Sequence, residues 1–185
     1  LEEAWSSGLS SSEQVLRKRV ENFSRGQFEL VLDGRVISAL YSQPIFSLSE
    51  LQSGTADSFL FDVVGRTLQL IGAVSEPSAL LPDPANELIL FVLRLAPLYG
   101  FREVVGVTRW SGFQRWKITH PLGTPEEYFR EDVDPTVNWH KRRGARVLQL
   151  LKNFRPKDVE NEGYGVLITY SVSESRSGLV AIAAE

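Results

Sequence analysis

The chain contains no cysteine and no methionine in 185 residues, and only two histidines. Without cysteine there can be no disulfide, no thiolate nucleophile and no thiolate-bound metal, a composition suited to a reducing compartment. No apolar run reaches the roughly 18 to 20 residues needed to span a bilayer. The opening Leu1-Glu2-Glu3-Ala4 has none of the features of a signal peptide. The expected location is therefore cytoplasmic. Neither sign of charge forms a long block and the net charge is only −3, so nucleic acid and anionic membrane are not expected partners. A chain without a single methionine reads as a piece excised from a longer, multidomain polypeptide.

What is present is the makeup of one globular domain. At 43% hydrophobic and 23% charged, residues 1–185 can bury a single core, expected to run from about residue 11 to 171. Ser11-Ser12-Glu13, followed by Val15, Leu16, Val20 and Phe23, predicts a capped amphipathic helix ending near Gly26. Gln27 to Tyr41 reads as two strands around Asp33-Gly34, a dipeptide that tolerates the positive φ values of a tight hairpin. Ser47 to Leu60 reads as a loop or short helical turn, and Thr67 to Val74 as a strand. Asp83 and Pro84 have the cap-plus-proline form of a helix start. The helix they open is apolar nearly all round to Leu95, predicts burial, and is ended by Pro97 and Gly100. Phe101 to Thr108 follows as a strand, and a β-α-β unit of this kind makes its two strands parallel. Asp134-Pro135 starts a shorter helix and Gly144 stops it. Arg146 to Leu151 and Gly165 to Ser171 are the closing strands, and a tail is expected to begin between Ser171 and Ser177. Trp110 to Glu131 receives no assignment.

Within this mixed α/β order lie several specific strings. They are Gly26-Gln27-Phe28 with Leu32-Asp33-Gly34-Arg35-Val36, then Val107-Thr108-Arg109, then Asp134-Pro135 leading to His140 and Gly144-Ala145. Phe154-Arg155-Pro156-Lys157-Asp158 and Asn161-Glu162-Gly163-Tyr164-Gly165-Val166-Leu167-Ile168 continue the series. Together they resemble the GNAT-like domains of polyketide synthase loading modules. The resemblance implies a GNAT fold: a mixed central sheet flanked by helices, with two parallel strands splayed to admit an acyl-pantetheine arm. It also implies decarboxylation of a malonyl- or methylmalonyl-acyl carrier protein to an acetyl or propionyl starter. The partners implied are that carrier protein and other domains of a synthase, with no metal and no cofactor beyond the carrier's phosphopantetheine.

By motif, the family's catalytic threonine and histidine carry over to Thr108 and His140. The residues themselves allow this. Thr108 ends a parallel strand, where open α/β sheets place their ligands, and His140 follows Val137 by three on one helix face. Loss of carbon dioxide develops charge on the thioester oxygen, which a hydroxyl and an imidazole N–H can stabilise. Trp110, Trp139 and Arg109 are the expected substrate contacts, with Phe113 and Trp116 also available for an apolar wall. Against these stand plainer readings: His140 as a core histidine, Thr108 as a strand-end residue, the tryptophans as core. His120, before Pro121, reads as incidental. Lys141-Arg142-Arg143 reads first as a solvated helix end, and second as a guide for an acidic carrier.

Ordinary acetyltransferases place a glycine-rich loop after the third strand, and here Pro77-Ser78-Ala79-Leu80-Leu81-Pro82-Asp83-Pro84-Ala85 stands instead. Three prolines remove backbone donors to a pyrophosphate, and Asp83 adds a negative charge. Weak coenzyme A binding is the expectation. The alternatives are acyl transfer from coenzyme A to a carrier thiol or an amine, and a docking domain without catalysis.

Overall fold

A computed structural model describes residues 10–56, 58, 60–76 and 81–172. Six strands form one sheet in the order β1-β2-β3-β4-β6-β5. Strands β1 (Gln27–Leu32) and β2 (Arg35–Ile45) form the predicted hairpin, with Asp33 at φ 49° and Gly34 at φ 75° supplying its turn. Strand β3 (Thr67–Ser75) pairs antiparallel with β2 and parallel with β4 (Glu103–Thr108). Strand β6 (Gly165–Ser171) lies antiparallel between β4 and the edge strand β5 (Ala145–Leu151).

The helices divide by how much they bury. In α1 (Glu13–Asn22), capped by Ser12, no residue is buried, and Val15 and Val20 stay exposed. The expected apolar face is thus replaced by one buried anchor beyond the helix end, Phe23. The helix stops at Asn22, and a 3₁₀ turn from Ser24 to Gly26 carries the chain into β1. Gly26 is required there because a Cβ would fall 2.0 Å from the Phe23 ring. Helix α3 (Pro84–Leu95) starts at Asp83 and Pro84 as predicted. Its burial, expected nearly all round, is confined to Pro84, Leu88, Ile89 and Val92. Phe91 is 49% exposed and packs edge-on against Phe28 at 5.5 Å. A helix lying on one face of a sheet needs only one apolar stripe.

Three short helices occupy segments for which the sequence made no firm prediction. Helix α2 (Leu48–Ser53) is opened by a Ser47–Glu50 capping box. Helices α4 (Phe113–Thr119) and α5 (Pro125–Glu131) fill the unassigned stretch, the second opened by a Thr124–Glu127 capping box. Helix α6 (Pro135–Lys141) begins at Asp134 as predicted. No helix among the described residues is long and apolar enough to cross a membrane. Residues 173–185, where a tail was expected, lie outside the described residues.

Side chains alternate across the sheet with period two and so make two cores. Val104, Val166, Ile168 and Tyr170 join Leu88, Ile89 and Val92 of α3 on one face. Val105, Val107 and Leu167 join Ile45, Leu51, Leu151 and Phe154 on the other.

Candidate active site

The parallel pairing of β3 with β4 runs from Thr67↔Glu103 to Leu70↔Gly106 and goes no further. Both strands continue, but toward different partners. Gly72, Ala73, Val74 and Ser75 pair with β2, while Val107 and Thr108 pair with β6. At the point of divergence Ser42 pairs with Leu70 and Tyr41 with Gly72, so Ile71 is an extra, bulged residue. A bulge bends its strand, and here it turns β3 away from β4. The expected splay is therefore built from an ordinary sheet irregularity.

Two clefts open at the splay, and Leu70, Ile71, Gly72, Val107 and Arg155 line both. The larger, about 650 Å³, is also lined by Gly106, Thr108, Arg109, Trp110, Trp139 and His140. The smaller, about 330 Å³, opens toward α1 and is bordered by Ser10, Arg19, Gln69, Phe154 and Lys157. The larger volume suits a small acyl group and its thioester arm.

Thr108 and His140, 32 residues apart in number, meet in the larger cleft. Thr108 is buried, and its hydroxyl rests on the carbonyl of Arg109 at 3.2 Å. That contact is long enough for the hydroxyl hydrogen to be re-aimed by rotation about Cβ–Oγ1. His140 sits with its Nδ1 2.6 Å from Tyr170 Oη. Trp139 lies edge-to-face with the imidazole at 4.7 Å. Burial lowers the His140 pKa to about 4, helped by the charge of Arg143 and opposed by Asp134. The imidazole is consequently neutral near pH 7.

Asp134 ties the two halves of the site together. Its Oδ1 accepts from the backbone N–H groups of Thr136 and Val137 at the start of α6. Its Oδ2 accepts from Ser111 and Gly112 N–H, just past β4, and from Tyr128 Oη. One buried carboxylate therefore sets the helix of His140 against the strand end of Thr108. Gly112 has to be glycine there, because a Cβ would lie 2.5 Å from Tyr128 Oη.

The other expected site residues divide. Trp139 lines the cleft, with its Nε1–H donating to Asp83 Oδ2 at 2.9 Å and the Arg143 guanidinium 3.8 Å from its ring centroid. Trp110 borders the cleft but is mainly core, 5.2 Å from the rings of both Phe113 and Tyr128. Arg109 is redirected: it borders the cleft, yet its Nε and Nη2 donate to Asp158 at 2.6 and 2.8 Å, and Nη2 also to Glu160. Substrate contact was expected of it, and the buried Asp158 carboxylate explains why its guanidinium faces elsewhere. Phe113 is fully buried, and Trp116 stacks on His120 at 4.4 Å, so neither forms a cleft wall. His120 lies outside the cleft, as its incidental reading implies.

Asp83 also differs from its expected part. Its Oδ2 accepts from Arg143 Nη2 at 2.7 Å, so its charge is paired. Of the expected loop, Pro77 to Leu80 lie outside the described residues. Within Lys141-Arg142-Arg143, Lys141 pairs with Asp132 and Arg143 with Asp83, while Arg142 is exposed at the cleft edge. Arg155, within Phe154-Arg155-Pro156-Lys157-Asp158, was not among the expected site residues. The structure puts Arg155 at the junction of both clefts, with Nη2 donating to the Val107 carbonyl at 2.9 Å. Among the described residues no group of three or more His, Cys, Asp or Glu side chains could hold a metal ion.

No protein-family model and no curated protein matches the chain. Solved structures do. The chain is 31% identical to the GphF GNAT-like decarboxylase in complex with isobutyryl-CoA, with a TM-score of 0.82 over 91% of this chain and 89% of that one. It is 28% identical to the loading GNATL domain of CurA from Lyngbya majuscula, again at 0.82, over 91% and 87%. Ard1 from Thermoplasma volcanium, 10% identical at 0.59 over 91% and 84%, is alike in fold alone.

Proposed function

The chain belongs to the GNAT-like decarboxylases of polyketide synthase loading modules, and on that premise we propose that it decarboxylates malonyl- or methylmalonyl-acyl carrier protein to an acetyl or propionyl starter. The observation that carries this reading is the convergence of Thr108 and a neutral His140 on one cleft at the β3–β4 splay. In the reaction the bond from the α-carbon to the carboxylate breaks and its electron pair moves into an enolate. The developing charge lies on the thioester oxygen. Thr108 Oγ–H and an imidazole N–H of His140 donate to that oxygen, and each such donor is worth about 3 kcal/mol in a water-poor site. The enolate carbon then takes a proton from a water held beside His140, giving the acyl thioester. Trp139, Ala73 and Val107 offer the departing carboxylate an apolar wall that does not stabilise the ground state, while Arg142 and Arg155 stand at the borders of the cleft.

Substrate delivery on a carrier protein is part of the same reading. Pro82 and Pro84 have no N–H to offer a pyrophosphate at the start of α3, and the Asp83 carboxylate already accepts from Asn86, Trp139 and Arg143. Phosphopantetheine on a carrier lacks that pyrophosphate. Intact-mass measurement of malonyl- and methylmalonyl-loaded carrier incubated with the domain tests the proposal. Loss of one carbon dioxide from either supports it. A carrier that keeps its carboxylate but exchanges acyl groups with coenzyme A would replace decarboxylation by transfer.

A further inference from the structure

Tyr170 is the last buried residue of β6, only 1% exposed, in the core beneath α6. Its hydroxyl makes one hydrogen bond among the described residues, the 2.6 Å contact with His140 Nδ1. Only one assignment of hydrogens satisfies both groups. If Nδ1 carried the hydrogen and donated, the phenol's own hydrogen would be buried with no acceptor, the more expensive kind of error in a protein interior. If the phenol donates, Nδ1 is the bare, accepting nitrogen and the neutral ring must carry its hydrogen on Nε2. Burial raises the Tyr170 pKa against the opposing charge of Arg143, which keeps the phenol protonated. Nε2 is on the far side of the ring and has no hydrogen bond among the described residues, while His140 lines the cleft.

We propose that Tyr170 is a positioning residue that donates to His140 Nδ1 and so holds the imidazole as the Nε2–H tautomer, aiming its N–H into the cleft. The inference rests on the reading of His140 as a donor to the thioester oxygen. It deepens that reading by naming what orients the donor, as a third group orients the imidazole in nucleophile–base pairs. The charged groups bearing on the ring are Arg143 and Asp134, and neither replaces the phenol at Nδ1.

The test uses the intact chain labelled with ¹⁵N-histidine, with His120→Gln to separate the two ring spectra. Long-range ¹H–¹⁵N correlation of the wild type is expected to show His140 Nδ1 unprotonated and Nε2 protonated. In Tyr170→Phe the two tautomers should mix, and kcat for carrier-bound malonyl should fall roughly ten- to a hundredfold while KM changes less than about twofold. A protonated Nδ1 in the wild type overturns the proposal, even if Tyr170→Phe fails to fold. So does a Tyr170→Phe protein with wild-type spectrum and wild-type kcat. A wild type inactive on every carrier-bound substrate would instead overturn the decarboxylase reading, and the spectrum would still decide the tautomer.

Discussion

Arg109 and Asp158 meet in a two-pronged ion pair, Nε to Oδ2 at 2.6 Å and Nη2 to Oδ1 at 2.8 Å, with the carboxylate side chain 1% exposed. Burial by itself would raise the Asp158 pKa. The hydrogen bonds from Arg109 and Asn161 and the charges of Arg109 and Arg155 outweigh it and lower the pKa. Since Arg109 directly follows Thr108, the pair anchors the end of β4 to the turn between β5 and β6. Asp158→Ala leaves the largely buried Arg109 guanidinium with the exposed Glu160 as its carboxylate partner and takes an acceptor from Asn161 Nδ2, so it should destabilise the chain by about 3 kcal/mol. In thermal unfolding that is a drop in Tm of roughly 10 °C. The double variant Arg109→Met/Asp158→Leu should recover most of it. A Tm for Asp158→Ala within a degree of wild type would refute the anchoring role.

Asp134→Asn should disturb both stability and turnover. Whichever way the amide turns, its NH₂ faces backbone N–H groups that the carboxylate now accepts from. The expected loss is about 2–4 kcal/mol. Below the melting transition kcat should fall more than KM rises, because Thr108 and His140 lose their common reference point. Denaturant unfolding and steady-state kinetics on one preparation check both halves.

Thr108→Val keeps shape and removes the hydroxyl, and His140→Gln replaces the imidazole. Each is expected to slow carbon dioxide loss about 10²–10³-fold in single-turnover mass measurements. Either variant turning over at the wild-type rate would take its residue out of the mechanism.

The depressed pKa of His140 sets a pH window. The unfolded imidazole binds its proton near pH 6.5 and the folded one only near 4, so the unfolded state holds more protons between these values. Stability contributed by the neutral ring is complete above about pH 6.5 and is lost as pH falls toward 4, by up to about 3 kcal/mol. The difference in unfolding free energy between wild type and His140→Gln, followed from pH 7.5 to pH 4, should shrink accordingly. Turnover should show no inflection near pH 6.5 in that series, and an inflection there would mean that the imidazole titrates normally.

Malonyl-coenzyme A should be a poorer substrate than malonyl-carrier protein, with a KM at least about tenfold higher, given the missing donors at Pro82 and Pro84. Equal KM values would show that the start of α3 holds a pyrophosphate despite its prolines.

Much of this architecture is legible in the chain because its signals are local. Asp33-Gly34 predicts the hairpin, Asp83-Pro84 and Asp134-Pro135 predict two helix starts, and Gly165 to Ser171 reads as a strand. Thr124-Pro125-Glu126-Glu127 is an equally local capping box, so the start of α5 is also written in the sequence. The exposure of Phe91 was not, since an all-round apolar helix looks the same in sequence whether one face or two are covered.

The sequence by itself determined where most strands, turns and helix caps lie, because backbone propensity and capping act within a few residues, and the strings that resemble the family single out Thr108 and His140. Tertiary structure alone decided what faces what. The bulge at Ile71 opens the sheet, Asp158 claims Arg109, and Asp134 aligns α6 with β4. Tyr170 reaches His140 across 30 residues of sequence. Such pairings depend on strand register and on which groups are desolvated together, and neither is written in any one stretch of chain.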